Sequence, residues 1–234
     1  MYDNLKLTIC TQDVQTENIQ SSAFGQGFSS YWDGDFMDKL QQKAVAFRQL
    51  IDYQYAIKLG RKGQIYNFVI DFQKQDFFHL IGLQKLTDLN FLKRSSVHIF
   101  NSCLKGKLTY SMLQKSEYFD DLGYRFDYFH LLEKILDDNE LVFKCNINSM
   151  RVYSNIIADY MLQNFRDDLT FYIFTEKRTN ADTQFCKSFF ENSINDYTKG
   201  QTKMTLLYKE KVNKKTGESI VQYDRLLDNI KEGL

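Results

Sequence analysis

Apolar positions recur at two different periods along this chain, and the period changes near residue 140. From Phe36 to Ile51 they fall at three- and four-residue steps, which predicts an amphipathic helix. Residues 53–59 and 64–72 resemble two strands, and the two glycines of the intervening Gly60-Arg61-Lys62-Gly63 favour a tight hairpin turn. The same reasoning predicts helices around His79, over 97–104 and over 116–137, the last with a serine cap and acidic residues at its start.

After residue 138 the pattern becomes that of strands. Runs of β-branched and aromatic residues predict strands over 141–147, 155–162, 169–175, 185–190, 204–212 and 220–223. Strands that follow one another without helices between them imply antiparallel pairing. We therefore predict an α+β fold in which N-terminal helices and a β-hairpin pack on a mostly antiparallel sheet. It would form a single domain over 36–223, after an irregular arm (1–35) and before a C-terminal tail (224–234).

Composition narrows the class of protein. The chain has 234 residues, 43% of them hydrophobic, which is enough for a substantial core. Its 30 basic and 30 acidic residues balance, which argues against a broadly basic nucleic-acid coat but leaves room for a local basic patch. The four cysteines are far apart, which argues against a metal site. The N-terminal residues do not resemble a signal sequence, so we expect a cytoplasmic protein with free thiols. No apolar run approaches the roughly 18–20 residues that span a membrane.

His79 is the first candidate for chemistry. It lies in the apolar segment Asp76-Phe77-Phe78-His79-Leu80, and a helix can hold an imidazole of suitable pKa rigidly for proton transfer. A packed histidine with a satisfied hydrogen bond would give the same sequence. His98 and His130 are more typical of surface or structural histidines.

Several other polar residues are candidate phosphate ligands. Lys115 and Ser116 precede the predicted long helix, where an anion or an ordinary cap would fit equally well. Arg125 lies in an aromatic run, and Ser188 lies on an aromatic strand. Lys177 and its neighbour Arg178 end an apolar strand, where they either contact phosphate or are simply exposed to solvent. The basic run at 209–215 is more typical of a solvated hairpin than of a phosphate-binding edge.

The order of these residues resembles a known family. The matching motifs are Phe78-His79-Leu80-Ile81-Gly82-Leu83-Gln84-Lys85-Leu86, Lys115-Ser116, Arg125, Phe174, Ser188-Phe189-Phe190 and Leu206-Leu207-Tyr208-Lys209-Glu210-Lys211. Over roughly residues 36–212 the chain resembles the fourth of the phage Barnase–EndoU–colicin–RelE-like nuclease families, which occur in phages and mobile elements.

The resemblance implies a RelE- or barnase-like fold and a metal-independent ribonuclease without a cofactor. His79 would be the general acid/base, with Arg125 and Ser188 in the catalytic site and Lys115, Ser116 and Lys177 binding phosphate or RNA. The substrate would be RNA, such as tRNA or mRNA. A ribose 2′-hydroxyl of the RNA would attack the adjacent phosphate, whose developing charge the site would stabilise. The protein would act as a toxin or effector, with an inhibitor or antitoxin protein as a partner and no membrane association.

Two other classes of function stay open on sequence alone. One is a non-catalytic binding protein, an anti-defence factor or regulator that engages a protein or nucleotide through aromatic surface. The other is a nucleotide-modifying transferase. The nuclease hypothesis requires His79, Arg125 and Ser188 to converge in one cleft, whereas the binding hypothesis requires them dispersed or buried beside an exposed aromatic patch.

Overall fold

The computed structural model describes residues 37–138, 141–152, 154 and 156–225. The predicted N-terminal arm, the first residue of the predicted domain and all but two residues of the predicted tail lie outside these ranges. The domain limits therefore stay a prediction.

The described residues form six α-helices and eight strands. The helices are α1 Lys39–Leu50, α2 Asp76–Leu80, α3 Ser96–Leu104, α4 Tyr110–Leu113, α5 Gly123–Tyr128 and α6 Leu132–Asp138. The strands are β1 Tyr53–Arg61, β2 Gln64–Asp71, β3 Leu141–Lys144, β4 Tyr160–Arg166, β5 Leu169–Lys177, β6 Gln184–Glu191, β7 Thr202–Asn213 and β8 Ser219–Asp224. The α+β class is thus confirmed, as are the hairpin of β1 and β2 and the position of a short helix at His79.

The sheet differs from the plain antiparallel sheet that was predicted, because it closes into a seven-stranded barrel. β1 pairs with both β2 and β7, and the ring runs on through β6, β5, β4 and β3. Two features of pairing close it. The long β7 uses Thr202–Met204 to pair with β3 and Thr205–Asn213 to pair with β1. On the other side, β2 and β6 share one parallel pair, Ile70 with Gln184, and β8 pairs with β7 outside the ring.

The predicted long helix over 116–137 is wrong, because the chain breaks it into short pieces. A 3₁₀ turn at Phe119–Leu122 precedes α5, and a second at Phe129–Leu131 separates α5 from α6. Gly123, at the first break, has φ of 48° and ψ of −148°, a conformation that glycine tolerates and that a helix interior does not contain. The apolar stripe still faces the core, since Phe126, Phe129 and Leu132 are all buried.

The second half of the chain also begins differently from the prediction. β3 ends at Lys144 and is followed by a 3₁₀ turn at Ile147–Ser149, and β4 begins at Tyr160. The strand predicted over 155–162 therefore starts later, and its first residue lies outside the described ones. β5, β6 and β7 confirm the predicted strands.

Alternate residues of β5 serve two different cores. Phe171 and Ile173 belong to the main core beneath the helices, whereas Tyr172 and Phe174 belong to a smaller cluster on the other face. Phe47 of α1 anchors the main core, and its ring contacts those of four other phenylalanines, which are Phe72, Phe77, Phe100 and Phe129. The sheet therefore separates the helices from the smaller cluster, and β6 borders both.

Lys209 and Lys211 are buried, which overturns the prediction of a solvated basic hairpin for these two residues. The Lys209 ammonium donates to the carbonyls of Leu136 and Asp137 at distances of 2.8 and 2.6 Å. Lys211 forms ion pairs with Glu133 and Asp137. Both lysines thus stabilise the C-terminal end of α6, where unpaired carbonyls and the helix dipole favour cations.

Candidate active site

The polar residues of interest meet along one side of β6. This strand pairs with β5 over most of its length but with β2 at a single position, and α2 and α5 lie against it. Both helices bury apolar residues in the same core, which fixes their position relative to the strand. The remaining side chains of α2, α5 and β6 are thereby brought close to one another.

His79 borders a cleft of about 530 Å³ at the start of β6. Phe77 and Leu80 anchor α2 in the core, which leaves the exposed side chain of His79 at the cleft. Burial lowers the pKa of His79, the Asp76 carboxylate opposes this shift, and the Lys187 ammonium adds to it. Within the described part of the chain, no hydrogen bond engages either ring nitrogen, so the imidazole keeps its capacity to exchange a proton.

A buried charge cluster supports the cleft beneath His79. The Arg178 guanidinium donates to Asp71 at 2.6 Å and to Asp76 at 2.5 and 3.1 Å. Its side chain is only 10% exposed, and its guanidinium stacks over the Phe185 ring. Arg178 is therefore not a solvent-exposed residue at the end of the strand, which was one of the two interpretations of the sequence. Arg178 is more than 100 residues from both Asp71 and Asp76, so no local pattern could have identified the cluster.

Arg125 lies farther along β6. Its guanidinium stacks over the ring of Phe190 at 5.2 Å, and burial lowers its pKa. The guanidinium nevertheless stays charged at neutral pH. No hydrogen bond or ion pair with another described residue engages it. Arg125 therefore presents a cation whose donors are free to bind an anion.

Gly82 lies next to Arg125 and has a φ of +91°, which favours glycine there. A Cβ atom at this position would make ordinary van der Waals contact with Cδ of Arg125, at 3.6 Å. Lys85, three residues later, adds a second cation, and burial and Arg125 both lower its pKa. Its ammonium donates to the carbonyl of Asp121. The apolar motif around His79 thus contributes the imidazole, a turn that lies against Arg125 and a neighbouring lysine.

Ser188 lies on β6 between these two regions. Its side chain is buried opposite Phe174, and its hydroxyl forms no hydrogen bond with any described residue. A bulge in the pairing with β5 leaves Lys187 as the extra residue, and the Lys187 ammonium pairs with Glu176 at 2.7 Å. The bulge changes the direction of side chains next to Ser188.

The three predicted catalytic residues therefore border one strand but do not share one cavity. His79 lines the cleft, whereas Arg125 and Ser188 do not. A strand rises about 3.3 Å per residue, so Lys187 beside His79 and Phe190 beneath Arg125 are about 10 Å apart. A ligand that contacts both His79 and Arg125 would have to extend along β6.

The predicted phosphate ligands lie outside the cleft. Lys115 is exposed, and the Ser116 hydroxyl donates to Asp88, which also accepts from the amide of Glu117. That arrangement is typical of a structural cap. Lys177 is exposed and pairs with Asp182 at 2.9 Å in the turn between β5 and β6. His98 and His130 are both exposed.

Among the described residues, no group of three or more histidine, cysteine or acidic side chains is arranged to hold a metal ion. Nor does any helix among these residues have the length and apolar character needed to cross a membrane.

Comparisons with known proteins identify the family. Neither a search of curated proteins nor a search of solved structures returned a match. A family profile described as phage-Barnase-EndoU-ColicinE5/D-RelE like nuclease4 matches residues 39–226, which include His79, Arg125 and Ser188. The match extends over most of the chain and contains both helices and the strand that border the site. The chain therefore belongs to the phage-Barnase-EndoU-ColicinE5/D-RelE like nuclease4 family.

Proposed function

We propose that this protein is a metal-independent endoribonuclease that cleaves RNA at the side of β6 bordered by His79 and Arg125. Membership of a phage-type nuclease family supports a nuclease function and a nucleic acid substrate. One structural observation supports the more specific proposal. His79 is exposed at the cleft and Arg125 is partly buried beside the same strand, and neither has a hydrogen-bond or ion-pair partner among the described residues.

The proposed reaction is transfer of the phosphate within the RNA backbone. The ribose 2′-oxygen attacks the adjacent phosphorus, the bond to the leaving 5′-oxygen breaks, and a proton passes in net terms from the former oxygen to the latter. His79 exchanges that proton as general acid/base, and its lowered pKa favours the neutral form, which can accept a proton. The products are a 2′,3′-cyclic phosphate and a 5′-hydroxyl.

In this proposal the RNA extends along β6, so that a phosphate of the cleaved strand reaches Arg125 and Ser188 outside the His79 cleft. The negative charge on the phosphate oxygens is stabilised by the Arg125 guanidinium, whose stacking on Phe190 orients its donors. The free hydroxyl of Ser188 supplies a further hydrogen bond. Lys115 and Lys177 would contact the RNA strand outside the cleft. The Ser116 hydroxyl would contribute least, because it already donates a hydrogen bond to Asp88.

The biological role follows from the phage-linked family and is the broader part of the proposal. We propose that the protein acts on cellular RNA as a toxin or effector, and that an inhibitor or antitoxin protein controls it. The alternative of a binding protein agrees with the separation of His79 from Arg125 and Ser188 but lacks the exposed aromatic patch that it requires. Among the described residues, the aromatic side chains that are large and exposed are Tyr118 and Phe165, which lie on separate elements.

The test is induction of the wild type and His79→Ala side by side in a bacterial host, with growth and total-RNA integrity as readouts. His130→Ala is the matched control, because His130 is exposed and outside the cleft. We expect RNA cleavage by the wild type and by the control, and none by folded His79→Ala. Intact RNA and normal growth with soluble wild type, in a host that lacks an inhibitor, would contradict the proposal.

A further inference from the structure

A second pocket of about 440 Å³ lies on the surface of α3, away from the His79 cleft. We name it the α3 pocket, and the residues that matter for the argument are Phe91, Arg94, His98, Lys105 and Lys107. All of its charged or titratable lining residues are basic, and no aspartate or glutamate lines it. In a chain whose net charge is zero, this is a local concentration of positive charge.

The cations of this pocket are not neutralised by the protein. Arg94, Lys105 and Lys107 form no ion pair with any described residue, and all three are exposed. The Arg94 guanidinium donates to Nε2 of His98 at 2.9 Å, which requires a neutral imidazole that accepts there. That hydrogen bond holds Arg94 against the helix. The pocket therefore combines one oriented guanidinium with two free ammonium groups.

The uncharged lining fits a nucleotide. Phe91 is half-buried and contributes an aromatic ring, and aliphatic side chains complete the apolar part of the pocket. Cations that follow a backbone, together with an aromatic side chain on which a base can stack, are the usual means of binding single-stranded nucleic acid without sequence preference. The dipole of α3 explains a lysine at its C-terminal end, but it does not explain Arg94 before its first turn.

The α3 helix also connects the two sites. Its first residue, Ser96, lines the His79 cleft, whereas His98 and Lys105 line the α3 pocket. A helix of nine residues is about 13 Å long. A strand of RNA that leaves the cleft past Ser96 therefore has only a short distance to reach the pocket.

We propose that the α3 pocket binds the phosphodiester backbone of the RNA strand outside the His79 cleft and so extends the substrate site. The choice of RNA as the occupant rests on the proposed function. The pocket would add affinity without base preference, and its contribution would fall with salt as counterion release requires.

The test measures binding separately from cleavage. Full-length protein carrying His79→Ala, which leaves the RNA intact, is titrated into a fluorescein-labelled single-stranded RNA of about 20 nucleotides, longer than one typical binding site. Anisotropy at several salt concentrations gives the dissociation constant. Lys105→Gln with Lys107→Gln is the test pair, and Lys134→Gln with Lys199→Gln, both exposed and outside the pocket, removes the same charge.

We expect the test pair to weaken binding and to reduce the slope of log affinity against log salt by about 1.4, which is two lost phosphate contacts at about 0.7 each. The control pair should leave the slope unchanged, and Lys105→Arg with Lys107→Arg should retain wild-type affinity. Equal affinities and equal salt slopes for the test and control pairs would overturn the proposal that the α3 pocket binds RNA, even if the wild type cleaves RNA. Pocket-dependent binding by a wild type that cleaves nothing would overturn the proposed function and leave the pocket standing.

Discussion

At the scale of single residues, His79 acquires its properties from three neighbours and from partial burial. Phe78 contacts the edge of its ring, Asp76 lies one turn before it, and Lys187 approaches from β6. Desolvation and the Lys187 charge disfavour the imidazolium, whereas the Asp76 carboxylate favours it. The balance lowers the pKa of His79, so the neutral form that accepts a proton persists further into acid than for a free imidazole.

The pH dependence of cleavage should report this balance. We expect the acid limb of kcat/KM against pH to have its midpoint below about 6.5, the ordinary pKa of histidine. Lys187→Gln removes the nearby positive charge, so the pKa of His79 and the midpoint should both rise. Lys134→Gln, which changes a distant exposed lysine, should leave the midpoint unchanged. A midpoint that Lys187→Gln does not move would show that another group controls the acid limb.

Arg125 offers a second test at this scale. A lysine keeps the charge but lacks the planar fork of donors and cannot stack flat on Phe190. We expect Arg125→Lys to lower kcat by about 10²–10³-fold, the usual effect of losing one preorganised donor to a developing negative charge. Arg61→Lys, at the exposed end of the hairpin, is the control and should retain full activity. Unchanged kcat in a folded Arg125→Lys protein would remove Arg125 from the proposed mechanism.

At the scale of elements, buried charges hold the helices to the sheet in two places. Arg178 of the turn after β5 joins Asp71 at the end of β2 and Asp76 at the start of α2. Lys209 and Lys211 of β7 hold the end of α6, and the Asp137 carboxylate also accepts from Tyr55 and Gln222. Burial lowers the pKa of Lys209 to about 8, against the opposing charges of Asp137 and Asp138.

Loss of the Lys209 ammonium should weaken the attachment of α6. Lys209→Met leaves the carbonyls of Leu136 and Asp137 without this donor, and an unsatisfied buried group costs about 1–3 kcal/mol. We expect the free energy of unfolding in urea to fall by about that amount. Lys203→Met, an exposed position on the same strand, should change it by less than about 0.5 kcal/mol. Equal unfolding midpoints for the two variants would contradict the role given to Lys209.

At the scale of the whole molecule, a neutral protein combines an exposed imidazole with local concentrations of cations. The 30 positive and 30 negative charges cancel overall, but Arg125, Lys85 and the α3 pocket concentrate positive charge near the cleft or beside α3. Such a distribution favours contact with a nucleic acid over a limited surface and not over the whole protein.

The proposed chemistry makes a prediction for the intact protein and its substrate. RNA cleavage should persist in excess EDTA, because His79 and Arg125 supply the proton transfer and the charge stabilisation. An oligonucleotide with a single 2′-deoxy residue at the cleavage site should resist cleavage there, and its all-ribose counterpart should yield a 2′,3′-cyclic phosphate end. Loss of activity in EDTA that Mg²⁺ restores, or cleavage of the 2′-deoxy substrate, would contradict the mechanism.

The sequence by itself determined the features that depend on neighbouring residues. The β1–β2 turn follows from its local chemistry, since Lys62 and Gly63 both adopt positive φ, as a two-residue hairpin turn requires. The helix at His79 and the strands β5 and β6 follow from local periodicity. Tertiary structure alone decided the closure of the sheet, the burial of Lys209 and the pairing of Arg178 with Asp71, which is 107 residues away. These features depend on which distant segments pair, and local patterns of polarity carry no information about that choice.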